Sequence, residues 1–193
     1  THAVGPRTHQ IPSIAGGSER TFASVEVAGR NGRQNERVRV GVVSVGSRTV
    51  RLLVARSTQD SVVPLCREKA LVGLGKEIMR SGSISDAHLH HLAEHVGEFA
   101  RLARAMGVTR LEAVLTAPGR DAANAATLAA TVGHAAAATT HALSAEDVAV
   151  HAFSGALLGN PVTSDPVAVC DIGATSTVVA MGTRDGGPGY VKE

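Results

Sequence analysis

The stretch VRVGVVSVGSRTVRLLVAR, Val38 to Arg56, decides how this chain is read, because PVAVCDIGATSTVVAMG, Pro166 to Gly182, repeats its plan. Each is a β-branched apolar run, a glycine-bearing turn rich in hydroxyls, and a second apolar run. Runs of that kind, broken by a short polar turn, predict a pair of antiparallel strands. Strands are expected over Val38 to Val45 and Thr49 to Arg56, with Gly46 held close to any ligand. The copies differ at one chemically important position: Asp171 ends the first strand of the second hairpin where Ser44 stands in the first.

Outward from the first hairpin, a third extended segment is expected from Val62 to Leu74. Leu89, Leu92, Val96, Phe99, Leu102, Ala103 and Met106 recur at helical spacing, with Ser85 as N-cap and Gly107 as the stop. RLEAVLTA, Arg110 to Ala117, alternates like a strand and is broken by Pro118-Gly119. The Ala-rich run Arg120 to Ala138 reads as one helix. A further helix follows Ser144, where Ser144 and Asp147 make a capping-box pattern. Gly159 to Pro166 reads as a loop. Strands and helices in this order give an α/β architecture, with a mixed sheet of five strands flanked by helices. Residues 1–37, rich in Gly, Arg, Ser and Asn, read as a flexible leader, residues 38–160 as a first lobe, and residues 166–193 as the opening hairpin of a second lobe that is cut short.

The bulk properties narrow the function. The chain has 193 residues, is 44% hydrophobic with 2% aromatics, and carries a formal charge of +2. That charge lies in the leader, where five arginines face three glutamates, so the rest is neutral and offers no broad footprint for nucleic acid or a membrane surface. Cys66 and Cys170 read as buried, reduced thiols. No apolar run reaches the ~18 residues of a membrane helix and no secretory signal opens the chain, so a cytoplasmic location is expected. The start at Thr1 suggests a processed product or a fragment. In HLHHLAEH, the group His91, Glu94 and His95 has a zinc-binding spacing, but the amphipathic pattern makes it a solvated face.

A glycine turn bares backbone N–H groups, and Ser47, Thr49, Thr175, Ser176 and Thr177 add hydroxyl donors; this is chemistry for phosphate oxygens. An aspartate at the position of Asp171 can hold Mg²⁺ or orient an attacking water. The paired hairpins resemble the phosphate-1 and phosphate-2 loops of the actin, Hsp70 and sugar-kinase superfamily, whose ribonuclease-H-like lobes close over a polyphosphate group. More narrowly, the chain is similar to the Ppx/GppA family of exopolyphosphatases and guanosine pentaphosphate phosphohydrolases. The family's Asp-x-Gly-[Ser/Thr]-Asn-[Ser/Thr] followed by Arg-Leu-Leu is matched by SVGSRTVRLL, Ser44 to Leu53. Its Arg-Leu-Gly-Glu-Gly is matched by GLGKE, Gly73 to Glu77. Its Ala-Thr-Ser-Ala-x-Arg-Asp-Ala-x-Asn is matched by VLTAPGRDAAN, Val114 to Asn124. Its Ser-Gly-x-Glu-Glu-Ala-Arg-Leu is matched by SAEDVAVH, Ser144 to His151, and its Asp-Ile-Gly-Gly-Gly-Ser-Thr by DIGATST, Asp171 to Thr177.

The resemblance implies an actin-type ATPase lobe and a hydrolase of phosphoanhydrides acting on inorganic polyphosphate or a guanosine polyphosphate. It implies phosphate contacts from Gly46, Ser47, Arg48, Thr49, Arg120, Gly173, Thr175 and Ser176, and Mg²⁺ held by Asp171. It also exposes departures. Ser44 replaces an aspartate, Arg48 an asparagine, and Ala174 and Thr175 two glycines, while Val148 takes the position of the general-base glutamate. Asp147 and Asp171 are then the carboxylates left for catalysis. Three outcomes follow: a weakened hydrolase, a non-catalytic phosphate binder, or an inactive fragment. Open strand edges in a cut-short second lobe would favour association, for example as a homodimer.

Overall fold

The computed structural model describes residues 38–57, 61–158, 160 and 164–193; the leader and half of the loop from Gly159 to Pro166 lie outside them. Strands β1 (Val38–Val45), β2 (Thr49–Ser57), β3 (Val62–Leu71), β4 (Arg110–Leu115) and β5 (Thr139–Ala142) form one mixed sheet in the order β3-β2-β1-β4-β5. The pairs β1–β2 and β2–β3 are antiparallel, whereas β1–β4 and β4–β5 are parallel. The expected five-stranded α/β lobe is therefore present.

Its core follows from period-2 burial. Val43 and Val45 of β1, Leu52 and Val54 of β2, and Ala113 and Leu115 of β4 point to one face. Leu92 and Val96 of α2 (Asp86–Ala105) and Leu128 and Val132 of α4 (Ala125–Ala136) close over that face. Helix α2 is the expected one: Ser85 accepts the His88 N–H as N-cap, and Gly107 ends it at φ 74°.

Three elements differ from expectation. The extended segment stops at Leu71, because Gly73 turns the chain at φ 64° and Leu74 opens a short helix, α1 (Leu74–Ser81). Pro118 does not break the chain; it sits in the first turn of α3 (Ala117–Asp121), where its missing N–H costs nothing. The Ala-rich run is then interrupted at Ala122, which is extended, so α4 begins only at Ala125. The interruption is fixed from outside: Asn124 Oδ1 accepts the Ile84 N–H at 3.0 Å and its Nδ2 donates to the Ile84 carbonyl at 2.7 Å. Ala137 then leaves α4 at φ 44°, and the four-residue β5 follows.

Helix α5 (Ala145–Leu157) starts with the expected capping box between Ser144 and Asp147. It packs against a second sheet, β6 (Val167–Ile172), β7 (Thr177–Thr183) and β8 (Gly187–Lys192), order β6-β7-β8, all antiparallel. Ala149 and Phe153 of α5 with Val178 and Ala180 of β7 make a small separate core. By core membership α5 goes with the second sheet, whereas the sequence reading grouped it with residues 38–160. The hairpin expected over 166–193 is present and gains a third strand.

Alternation along β6 sends Cys170 to the face away from α5, so this thiol is exposed rather than buried; Cys66 is half-buried. The edge strand β3 carries Pro64, Arg67, Glu68 and Lys69, features that discourage edge-to-edge pairing. Among the described residues no helix is long and apolar enough to cross a membrane.

Candidate functional site

The turns of the two hairpins face one another across a cleft of roughly 370 Å³. One wall is Gly46, Ser47, Arg48 and Thr49 with Ser44 and Arg51 of the flanking strands. The other is Asp171 and Ile172 with the turn from Gly173 to Ser176, and Thr116 and Ala117 complete the lining. A hydroxyl–hydroxyl hydrogen bond of 2.6 Å, Ser47 Oγ to Thr175 Oγ1, ties the turns together. In such a pair only one hydrogen is shared, so the second hydroxyl keeps its hydrogen for a ligand.

The glycines have a narrower task than the sequence suggests. The Gly46 N–H donates to the Thr49 carbonyl at 2.9 Å and the Gly173 N–H to the Ser176 carbonyl at 2.8 Å, so each closes its own turn. A Cβ on Gly173 would stand 2.9 Å from that carbonyl oxygen, which requires glycine there. The donors left over are the N–H groups of Ser47 and Arg48 on one side and of Ala174, Thr175 and Ser176 on the other. None of these five has a hydrogen-bond partner among the described residues.

Helix α1 buttresses both turns. Gly75 donates its N–H to the Ser47 carbonyl at 2.7 Å, and Val72 and Gly73 donate to the Arg48 carbonyl at 2.9 and 3.1 Å. A Cβ on Gly75 would lie 2.8 Å from Ser47 Cβ and 3.0 Å from Thr175 Cγ2. Behind it, the buried Glu77 faces His88 Nδ1 at 2.7 Å, joining α1 to α2. Burial alone would push the Glu77 carboxyl up. Hydrogen bonds from the Ser85 hydroxyl and backbone, with His88 alongside, outweigh it and hold the group below the ordinary carboxylate range.

Of the residues singled out from sequence, Gly46, Ser47, Arg48, Thr49, Asp171, Gly173, Thr175 and Ser176 line the cleft together. Arg120 and Asp147 do not. Arg120 donates to the Leu143 carbonyl at 3.1 Å and pairs with the Glu193 carboxylate. Asp147 Oδ2 accepts from the Ser144 N–H and hydroxyl, so this oxygen belongs to the capping box. Val148 packs against the second core. Asn124, in the same quoted motif as Arg120, staples Ile84 and has a structural task.

Two further lining residues, Arg51 and Thr116, lie outside the phosphate contacts that the resemblance implies. Arg51 was legible from register, since Val45 pairs with Val50 and Ser44 with Arg51, which puts both side chains on one sheet face at the cleft. Thr116 offered no local signal; it is placed by its N–H bond to the Val45 carbonyl at 3.1 Å.

The Mg²⁺ expected at Asp171 can be tested against the donor set. Mg²⁺ asks for near-octahedral oxygen ligation, commonly with one or two carboxylates. Among the described residues Asp171 is the single carboxylate lining the cleft, and Arg48 and Arg51 line it too. Among the described residues no group of three His, Cys, Asp or Glu side chains could hold a metal. One carboxylate among two guanidiniums does not fit a resident Mg²⁺.

The family model described as the Ppx/GppA phosphatase family matches residues 53–187. The chain belongs to this family. Exopolyphosphatase 1 of Mycobacterium tuberculosis is 30% identical over 149 residues, which is 77% of this chain and 43% of that protein. Exopolyphosphatase 1 of Mycobacterium leprae is 34% identical over 88 residues, 45% of this chain and 26% of that one. The chain thus spans less than half the length of these curated relatives. Among solved structures, an exopolyphosphatase from Cytophaga hutchinsonii matches with a TM-score of 0.72 at 22% identity, over 80% of this chain and 49% of that one. A Ppx/GppA family member from Aquifex aeolicus matches with a TM-score of 0.69 at 22% identity, over 81% and 49%. The fold of this Ppx/GppA chain is accordingly the actin-like ATPase type, with a mixed sheet flanked by helices.

Proposed function

We propose that the cleft is a condensed-phosphate site and that this chain is the phosphate-holding part of an exopolyphosphatase-type hydrolase. One observation carries the reading: two turns with unsatisfied N–H groups face a common space and are joined by the Ser47–Thr175 bond. Amides arranged in this way match the oxygens of a phosphate chain and leave a purely apolar ligand with nothing to satisfy them. Inorganic polyphosphate is favoured over guanosine pentaphosphate because, among the described residues, no aromatic side chain lines the cleft to stack on a base.

Turnover by these 193 residues is slow in this account. A general base is typically worth about 10²–10⁴ in rate. Val148 cannot accept a proton, and Asp147 is engaged in capping α5. Asp171 remains as the carboxylate on the cleft able to orient a water. The test pairs retention of labelled polyphosphate in equilibrium dialysis with release of orthophosphate. Retention with slow release is expected. No retention would dismiss the site, and rapid release would show that another residue serves as base.

A further inference from the structure

The cleft's charge is unusual for a site that handles phosphate beside a carboxylate. Two guanidiniums, Arg48 and Arg51, line it against one carboxylate, Asp171. Neither arginine makes a side-chain hydrogen bond or ion pair among the described residues. Arg39, Arg104, Arg110 and Arg120 each donate to a carbonyl or a carboxylate, whereas Arg56, Arg67 and Arg80 are unpaired among the described residues like the cleft pair but do not line the cleft. Unpaired guanidiniums at a concave, hydroxyl-lined site are charge held ready for an anion, and their planar donor forks suit phosphate oxygens.

Ser44 explains how Arg51 stays unpaired. The two residues are direct cross-strand partners on the cleft face. A carboxylate at position 44 would stand opposite Arg51 and neutralise it, since oppositely charged cross-strand pairs attract. The hydroxyl of Ser44 leaves the guanidinium uncompensated. With Arg48 added on the turn itself, both departures from the family pattern move the charge at this wall in the positive direction.

We propose that the cleft takes condensed inorganic phosphate as the metal-free polyanion, with Arg48 and Arg51 supplying the positive charge that a divalent cation would otherwise bring. The inference rests on the reading of the cleft as a condensed-phosphate site. Mg²⁺ acts here as a competitor: it binds polyphosphate in solution and lowers the charge offered to the arginines. Asp171 opposes the bound anion.

The test is calorimetric titration of the 193-residue chain with tripolyphosphate, once in excess EDTA and once in excess MgCl₂. Binding is expected in EDTA and is weaker in MgCl₂. Arg48→Asn and Arg51→Gln should each weaken the EDTA affinity roughly 10- to 100-fold, the range for charge-assisted hydrogen bonds. Asp171→Asn should tighten it by up to about fivefold, as for removal of an exposed like charge. Ser44→Asp should weaken it by neutralising Arg51. Because these four side chains lie at the surface of the cleft, a matched thermal melt for each variant separates loss of contact from loss of fold. Binding that appears only with MgCl₂, or is lost in Asp171→Asn, overturns the metal-free inference and leaves the phosphate site standing. Binding in neither medium overturns both.

Discussion

Gly75 shows how much of the cleft rests on the absence of a single methyl group. Intrinsic helix propensity favours alanine over glycine by about 0.8–1.0 kcal/mol, so Gly75→Ala would stabilise α1 if nothing lay against it. The added Cβ would instead meet Ser47 Cβ at 2.8 Å, and Ser47 Cβ is fixed to the backbone and cannot swing aside. The turn must shift, with the Gly75–Ser47 and Ser47–Thr175 bonds. Gly75→Ala is therefore expected to lower polyphosphate affinity without raising the melting temperature; a more stable variant of unchanged affinity would contradict this. Glu77 governs a different property. Its folded carboxyl titrates below its unfolded counterpart, so in acid the unfolded chain binds more protons. The stabilisation is complete above the unfolded value of about 4.3 and is lost as the pH falls through the lower folded value. The difference in urea midpoint between the parent chain and Glu77→Gln should thus shrink as the pH is lowered from 7 through that window. A difference independent of pH would show that Glu77 acts by packing alone.

Elements declared by local signals were legible in the sequence: the two hairpins by their turns, α2 by its 3.6-residue period and Ser85 cap, and α5 by its capping box. Elements set by distant partners were not. The break before α4 depends on Asn124 reaching Ile84, forty residues earlier. The strand β5 is four residues long and exists by pairing with β4. The same division holds at the site. The turn residues were visible in the motifs, whereas the engagement of Arg120 by Glu193 joins positions 73 residues apart and left no local trace. The assignment of α5 to the second core also escaped, because its amphipathic pattern says that it packs but not on which sheet. Phe153 is the largest fully buried side chain of that core. Phe153→Ala should cost about 3–5 kcal/mol locally, and hydrogen exchange should quicken in α5 and β6 to β8 while β1, β2 and β4 keep their protection. Equal loss in both sheets would mean that the two cores unfold as one unit.

At the scale of the molecule, the five-stranded lobe and the smaller three-stranded unit each contribute one glycine turn to a shared cleft, and α1 supports both turns through Gly75. The repeated hairpin of the sequence thereby acquires a physical meaning: two similar turns set their free amides around one cleft. Membership of the Ppx/GppA phosphatase family agrees with that arrangement. The most direct measurement is amide hydrogen exchange with and without short-chain polyphosphate, read residue by residue. Slowed exchange is expected at Ser47 and Arg48 and together with it at Ala174, Thr175 and Ser176, with little change at Arg120 or Asp147. Slowing confined to one turn, or absent from both while other segments respond, would contradict the account of a single cleft built from two turns.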